Sequence, residues 1–154
     1  MNLESSYKTL KEGSQKLALQ NAIQKNNALK AVAKALDKNR KSIIDANKID
    51  IENAQKKGVP DSIIDRLLLN DKRIDGIIES LNIVIAQTDP IGDEIAGWKT
   101  PNGMSIRQVR VPLGIVGIIY ENRPNVTVDA FCLAYKSGNS ILLRGSSSSY
   151  VSNK

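Results

Sequence analysis

The stretch VPLGIVGIIYENRPNVTVDAFCLAYKSGNSILLRGSSSS, Val111 to Ser149, restricts the architecture more than any other part of the chain. Ile115 to Ile119 is a short apolar, β-branched run bounded by Gly114 and the polar Glu121-Asn122-Arg123, which predicts a buried strand. Pro124 suits a first helical turn. From Asn125 to Lys136 the apolar residues Val128, Phe131, Cys132 and Tyr135 recur at helical spacing, and Gly138-Asn139 supplies a left-handed stop. Ser140 to Arg144 is a second apolar strand. Strand, helix and strand with short links form a right-handed parallel crossover, and such sheets bind ligands just beyond the carboxyl ends of their strands. Those ends are Tyr120-Glu121-Asn122-Arg123 and Arg144-Gly145-Ser146-Ser147.

The preceding part of the chain reads as helical. Tyr7, Leu10, Leu17 and Ala18 share one side of a first helix. Leu29, Val32, Ala33, Leu36, Ile43 and Ile44 mark a second, with Lys30, Lys34, Lys38 and Arg40 elsewhere on its surface. Asp45 and Asn47 then offer caps, so a break is predicted there, followed by a short helix ending near Gly58. Pro60-Asp61 opens another turn over Ile63 to Leu69, and Asn70-Asp71 caps a helix with the strongest apolar stripe, Ile74, Ile77, Ile78, Leu81, Val84 and Ile85. These stripes read as packing core covering the sheet. Asp89-Pro90 ends the helical part. Glu94 to Lys99 and Met104 to Val111 flank Thr100-Pro101-Asn102-Gly103, a hairpin signal, and neither face of the second arm is cleanly apolar. That pattern suits a ribbon crossing another surface. Trp98, the single tryptophan, sits on it.

Composition matters for what it excludes. With no histidine and one cysteine, Cys132, the chain has no internal disulfide, no cysteine-rich metal site and no histidine base, so no metal is expected. Nothing approaches a membrane span, and the start MNLESSYKTLKEGSQ lacks the apolar core of a signal peptide; a cytoplasmic location is expected. The net charge of +6 lies entirely in residues 1–57, with twelve Lys or Arg against six Asp or Glu. A basic nucleic-acid-binding module is one reading of that excess. Dispersal of the lysines between apolar positions, with only 4% aromatic residues for base stacking, favours a solvated face and no nucleic-acid partner.

PLGIVGIIYENRPNVTVDAF followed by KSGNSILLRG resembles the gamma-glutamyl phosphate reductases (glutamate-5-semialdehyde dehydrogenases), a branch of the aldehyde dehydrogenase superfamily. The resemblance continues through ANKIDIENAQKKGV and DRLLLNDKRIDGI upstream and Ser152-Asn153 downstream, and covers only the amino-terminal part of the family's length. It implies an incomplete aldehyde dehydrogenase-like α/β fold. Residues 1–88 are then the helical part of the cofactor-binding domain, 89–111 a β-hairpin oligomerisation arm, and 112–154 the start of an NADP-binding α/β unit. The implied activity is NADPH-dependent reduction of L-glutamyl 5-phosphate to L-glutamate 5-semialdehyde with release of phosphate, in proline biosynthesis. A homo-oligomer joined through the 94–111 hairpin is also implied.

In that family a cysteine thiolate attacks the acyl phosphate, and the thioester takes a hydride from NADPH. The family's nucleophile lies downstream of Lys154. Cys132 falls among apolar helical positions and reads as a buried, inert thiol. Carried over position by position, Ile119, Tyr120, Glu121 and Asn122 match the strand end beside the nicotinamide, with Asn122 either an oxyanion donor or a loop-capping amide. Arg123 is a candidate for a substrate phosphate or carboxylate, or a surface residue. Arg144 matches a lysine that the wider superfamily keeps against the adenosine ribose, and its charge suits a 2′-phosphate. Gly145 lets the backbone pass close to a ligand. Ser147 stands among serines where an acidic residue is common; that loss favours NADP, and the run reads equally as a flexible, solvated turn. The chain ends at Ser152-Asn153-Lys154 in a helix-compatible run without a stop signal, so a truncated, catalytically inactive portion that depends on its missing neighbours is the other expectation.

Overall fold

The computed structural model describes residues 3–121 and 123–154, which form six α-helices, four strands and one 3₁₀ turn. Helices α1 (Leu3–Leu17), α2 (Ala22–Lys38), α3 (Arg40–Lys56), α4 (Asp61–Leu67) and α5 (Asp71–Ala86) precede an antiparallel hairpin, β1 (Glu94–Lys99) and β2 (Ser105–Val109). Strand β3 (Ile115–Ile119), helix α6 (Asn125–Lys136) and strand β4 (Ser140–Arg144) follow, and the chain finishes through the 3₁₀ turn Ser147–Ser149.

The crossover forms as its apolar runs require. β3 and β4 pair in parallel, with Ile115 opposite Ser140 and Ile119 opposite Arg144, so both carboxyl ends lie on the same side. Pro124, with φ −58, enters the first helical turn, and Gly138, with φ +75, reverses the chain after α6 in the left-handed region that a side chain resists.

The helical layer departs from its sequence reading in three places. The break falls at Asn39, not at Asp45 and Asn47: the Asn39 side-chain amide donates to the carbonyl of Ala35 at 2.8 Å, so this residue closes α2 and α3 begins immediately after. Asp45 and Asn47 lie inside α3, and Asn47 turns inward toward long-range partners that local capping logic does not contain. Tyr7 is exposed and Ala18 lies in the turn beyond α1, so that helix buries a narrower face, closed by Leu17. The helices also do not all cover the sheet. α1 and α6 pack against β4, whereas α2 and α5 pack on α6 and on each other as a second layer. Leu29 and Ala33 of α2, Leu81 and Val84 of α5 and Cys132 of α6 form that core. Burial of such side chains contributes roughly 1.5–3 kcal/mol each for the larger ones.

Two lysines are internal, and one of them, Lys25, belongs to the amino-terminal segment whose lysines read as a solvated face. Lys25 is only 2% exposed; its ammonium meets Asp89 Oδ2 at 2.5 Å and donates to the Lys136 carbonyl at 3.2 Å. Lys136 donates to Asn26 Oδ1 at 2.6 Å and to the Ile85 carbonyl at 3.1 Å. Both ammonium groups thus meet the negative carboxyl ends of α5 and α6, where a cation is favoured. Burial nonetheless pushes the Lys136 pKa below the usual lysine value.

The hairpin turns at Gly103, with φ +88, and pairs Trp98 with Ile106. Its second strand is shorter than expected, ending at Val109, and nearly every residue of the ribbon is exposed, including Ile95, Trp98 and Met104. No described helix is long and apolar enough to cross a membrane.

Candidate functional site

The paired strand ends make a shelf. Beyond the Ile119–Arg144 pair, the Tyr120 amide donates to the Arg144 carbonyl at 3.1 Å, carrying the ladder one residue further. Ile119 is 79% exposed at this tip, so its apolar surface is open to a planar ligand. Glu121, Arg144, Gly145 and Ser147 are exposed around it. Arg144 has no ion-pair partner among the described residues. Asn122 lies outside the described residues.

A hydrogen-bonded plug fills the gap below the shelf. The Tyr120 hydroxyl meets Thr127 Oγ1, which donates to Asn153 Oδ1 at 2.8 Å, and Asn153 Nδ2 donates to Ser149 Oγ at 3.0 Å. A Cβ on Gly145 would stand 3.0 Å from Asn153 Nδ2 and 3.1 Å from the Tyr120 hydroxyl. Gly145 therefore admits the protein's own side chains, where the sequence suggested close approach to a ligand.

The serine run is ordered. Ser146 caps the 3₁₀ turn by accepting from the Ser148 amide at 2.9 Å, and Ser149 is fully buried. From α3, Asp50 accepts from the Val151 amide at 3.2 Å and from the Ser152 amide and hydroxyl, while Asn47 bonds the Ser152 hydroxyl at 3.0 Å. Sequence reasoning missed Asn47, Asp50, Thr127 and Asn153, because each acts across long stretches of chain that no local pattern links.

Arg123 lines a cleft that Ile119, Tyr120, Glu121, Arg144, Gly145 and Ser147 do not line. This cleft, of about 740 Å³, lies between the α4–α5 connection and the start of α6, with Asp65, Arg66, Lys72, Arg73 and Asp129. Cys132 is 2% exposed and donates from Sγ to the Asp129 carbonyl at 3.2 Å; burial, and then the nearby charge of Asp129, push its thiol pKa up. Such a thiol is a poor nucleophile. Among the described residues no group of three His, Cys, Asp or Glu converges to hold a metal ion.

No family model matches the chain. The gamma-glutamyl phosphate reductase of Thermotoga petrophila is 54% identical over 131 residues, which are 85% of this chain and 32% of that protein. The crystal structure of the gamma-glutamyl phosphate reductase of Thermotoga maritima superposes with a TM-score of 0.95 at 48% identity, covering 99% of this chain and 37% of the other. A Bacillus subtilis protein assigned to the aldehyde dehydrogenases, 18% identical, shares the fold with a TM-score of 0.70 over 98% of this chain and 31% of its own. The chain spans about a third of the length of the curated relatives it matches. In sequence and in fold it is the counterpart of an amino-terminal portion of the gamma-glutamyl phosphate reductases, within the aldehyde dehydrogenase-like fold.

Proposed function

We propose that this chain supplies the nicotinamide-dinucleotide shelf for reduction of L-glutamyl 5-phosphate to L-glutamate 5-semialdehyde, with release of phosphate, in cytoplasmic proline biosynthesis. The observation that carries the reading is the parallel β3–β4 pair, whose adjoining tips end in an exposed apolar residue, Ile119, and a cation, Arg144, with no ion-pair partner among the described residues. The residues present fit a dinucleotide: Arg144 offers a guanidinium fork to a 2′-phosphate, Ser147 a hydroxyl, and the segment 144–154 carries no carboxylate to repel it. On that ground NADPH is the proposed cofactor, and it supplies the hydride when bound.

Within this scheme Ile119 and Tyr120 seat the nicotinamide side, Glu121 borders it, and the Asn122 amide donates to the oxygen that gains charge as the acyl carbon is attacked. The attacking thiol comes from outside this chain, since its single cysteine is buried in the helical core. The chain alone is therefore expected to bind nucleotide without turnover. The exposed β1–β2 ribbon, with Trp98 half exposed near its turn, is the proposed contact between copies in a homo-oligomer.

A fluorescence titration with NADPH and with NADH tests the reading. Tighter binding of NADPH is expected, and Arg144→Ala should bring the two affinities together. Equal affinity for both nucleotides in the unaltered chain, or no binding of either, overturns it.

A further inference from the structure

Resting on the nucleotide reading above, we propose that Thr127 and Asn153 are positioning residues for the dinucleotide: their side chains clasp the β3 tip to the segment beyond β4 and fix the span between the nicotinamide side of the shelf and its phosphate side. A ligand that spans both tips must find them at one separation, and a separation set before binding adds nothing to the cost of ordering them. The backbone supplies little of this. Past the Ile119–Arg144 pair, the ladder between the tips continues only through the Tyr120 amide, which donates to the Arg144 carbonyl at 3.1 Å.

The polarity of the clasp follows from its donors. Asn153 Oδ1 can only accept, so the single Thr127 hydroxyl proton goes to it, at 2.8 Å, and the Tyr120 hydroxyl then donates to Thr127 Oγ1. Thr127 is the link that both accepts and donates, and hydrogen bonds aligned in this way strengthen one another. At the far end Asn153 Nδ2 donates to the hydroxyl of the fully buried Ser149, and Ser152, the preceding residue, is held by Asp50 and Asn47 of α3. Gly145 of the β4 tip lies against both ends of the clasp, beside Asn153 Nδ2 and the Tyr120 hydroxyl. Packing alone does not call for a hydroxyl here: Thr127 borders a cavity of about 200 Å³ whose walls include Leu36, Ile43, Ile74, Ile77 and Val128, where valine would serve as well. Nor does the β4 side depend on the clasp, since Ser146 accepting from the Ser148 amide and Asp50 accepting from the Val151 and Ser152 amides hold that segment independently. What depends on Thr127 is the place of the β3 tip relative to it.

The test is calorimetric titration of the whole chain with NADPH, which spans both tips, and with adenosine 2′,5′-bisphosphate, which reaches only the β4 side. Thr127→Val, which breaks the clasp at its centre, should weaken NADPH roughly tenfold and the bisphosphate by less than about twofold, and Thr127→Ser should restore NADPH. Asn153→Ala breaks the same clasp from its other end and should give the same split, so the outcome does not hang on the folding of one variant. Equal weakening of both ligands, which is what a merely structural role produces, unchanged NADPH affinity in both clasp-breaking variants, or no recovery in Thr127→Ser overturns the proposal and leaves the shelf standing. Binding of neither ligand by the unaltered chain removes the shelf reading itself, and this role with it.

Discussion

Asp50 Oδ2 accepts two hydrogen bonds from Ser152, one from its amide and one from its hydroxyl, each at 2.7 Å. With the Val151 amide on Oδ1, a buried carboxylate of α3 thereby fixes the segment that flanks the β4 tip. Asp50→Ala strands two backbone donors, and a loss on the order of 2–3 kcal/mol is expected from urea unfolding. The variant should also bind nucleotide less tightly, because the 3₁₀ turn beside Arg144 loses its anchor.

Lys25 and Asp89 should respond unequally to mutation. Removing the carboxylate leaves a fully buried ammonium facing only a carbonyl, which costs about 3–5 kcal/mol. Lys25→Met removes the charge and keeps the apolar stem, so it should cost clearly less. Urea midpoints of Asp89→Ala and Lys25→Met, compared side by side, check the asymmetry; equal losses would show that the pair itself, and not the stranded charge, dominates.

Gly138 and Gly58 separate two costs. Both have a left-handed φ, +75 and +67, but a Cβ at Gly138 would meet Pro112 Cγ at 2.9 Å whereas nothing lies within 4 Å of one at Gly58. Gly58→Ala should lose only the conformational term, about 1–2 kcal/mol. Gly138→Ala should lose more, read as a larger drop in Tm.

Cys132 links stability to alkaline pH. Burial raises its folded pKa, so above the unfolded value of about 8.5 the folded chain binds more protons than the unfolded one. Its contribution is complete below that value and declines as pH rises toward the folded pKa. The urea midpoint should fall as pH rises above about 8.5, and Cys132→Ala should show a shallower fall.

The crossover was legible because its signals are local. Ile115–Ile119, Asn125–Lys136 and Ser140–Arg144 are each bounded by residues whose backbone preference ends the element. The α2–α3 break was not, since the apolar spacing runs on through Asn39 and the inward turn of Asn47 depends on Leu67, Leu69 and Ser152. Lys25 resembles any helical lysine until the chain near Asp89 folds over it. No local pattern links Arg66 and Lys72 to Arg123, because the cleft that gathers them exists only after α6 docks beside α5. At the strand ends the side-by-side placing of the two tips followed from topology, whereas the Tyr120–Thr127–Asn153 plug needed coordinates.

Strands that run in the same direction cannot meet through a tight turn; the chain must first travel back along its own length. Here α6 makes that return journey, and α6 is seated by α2 and α5. Assembly of the β3–β4 ladder is thus a late folding event, contingent on the helices acquiring their packing. Peptides containing either strand alone should be silent toward nucleotide, and any affinity measured for the whole chain doubles as a gauge of how much of it has finished folding.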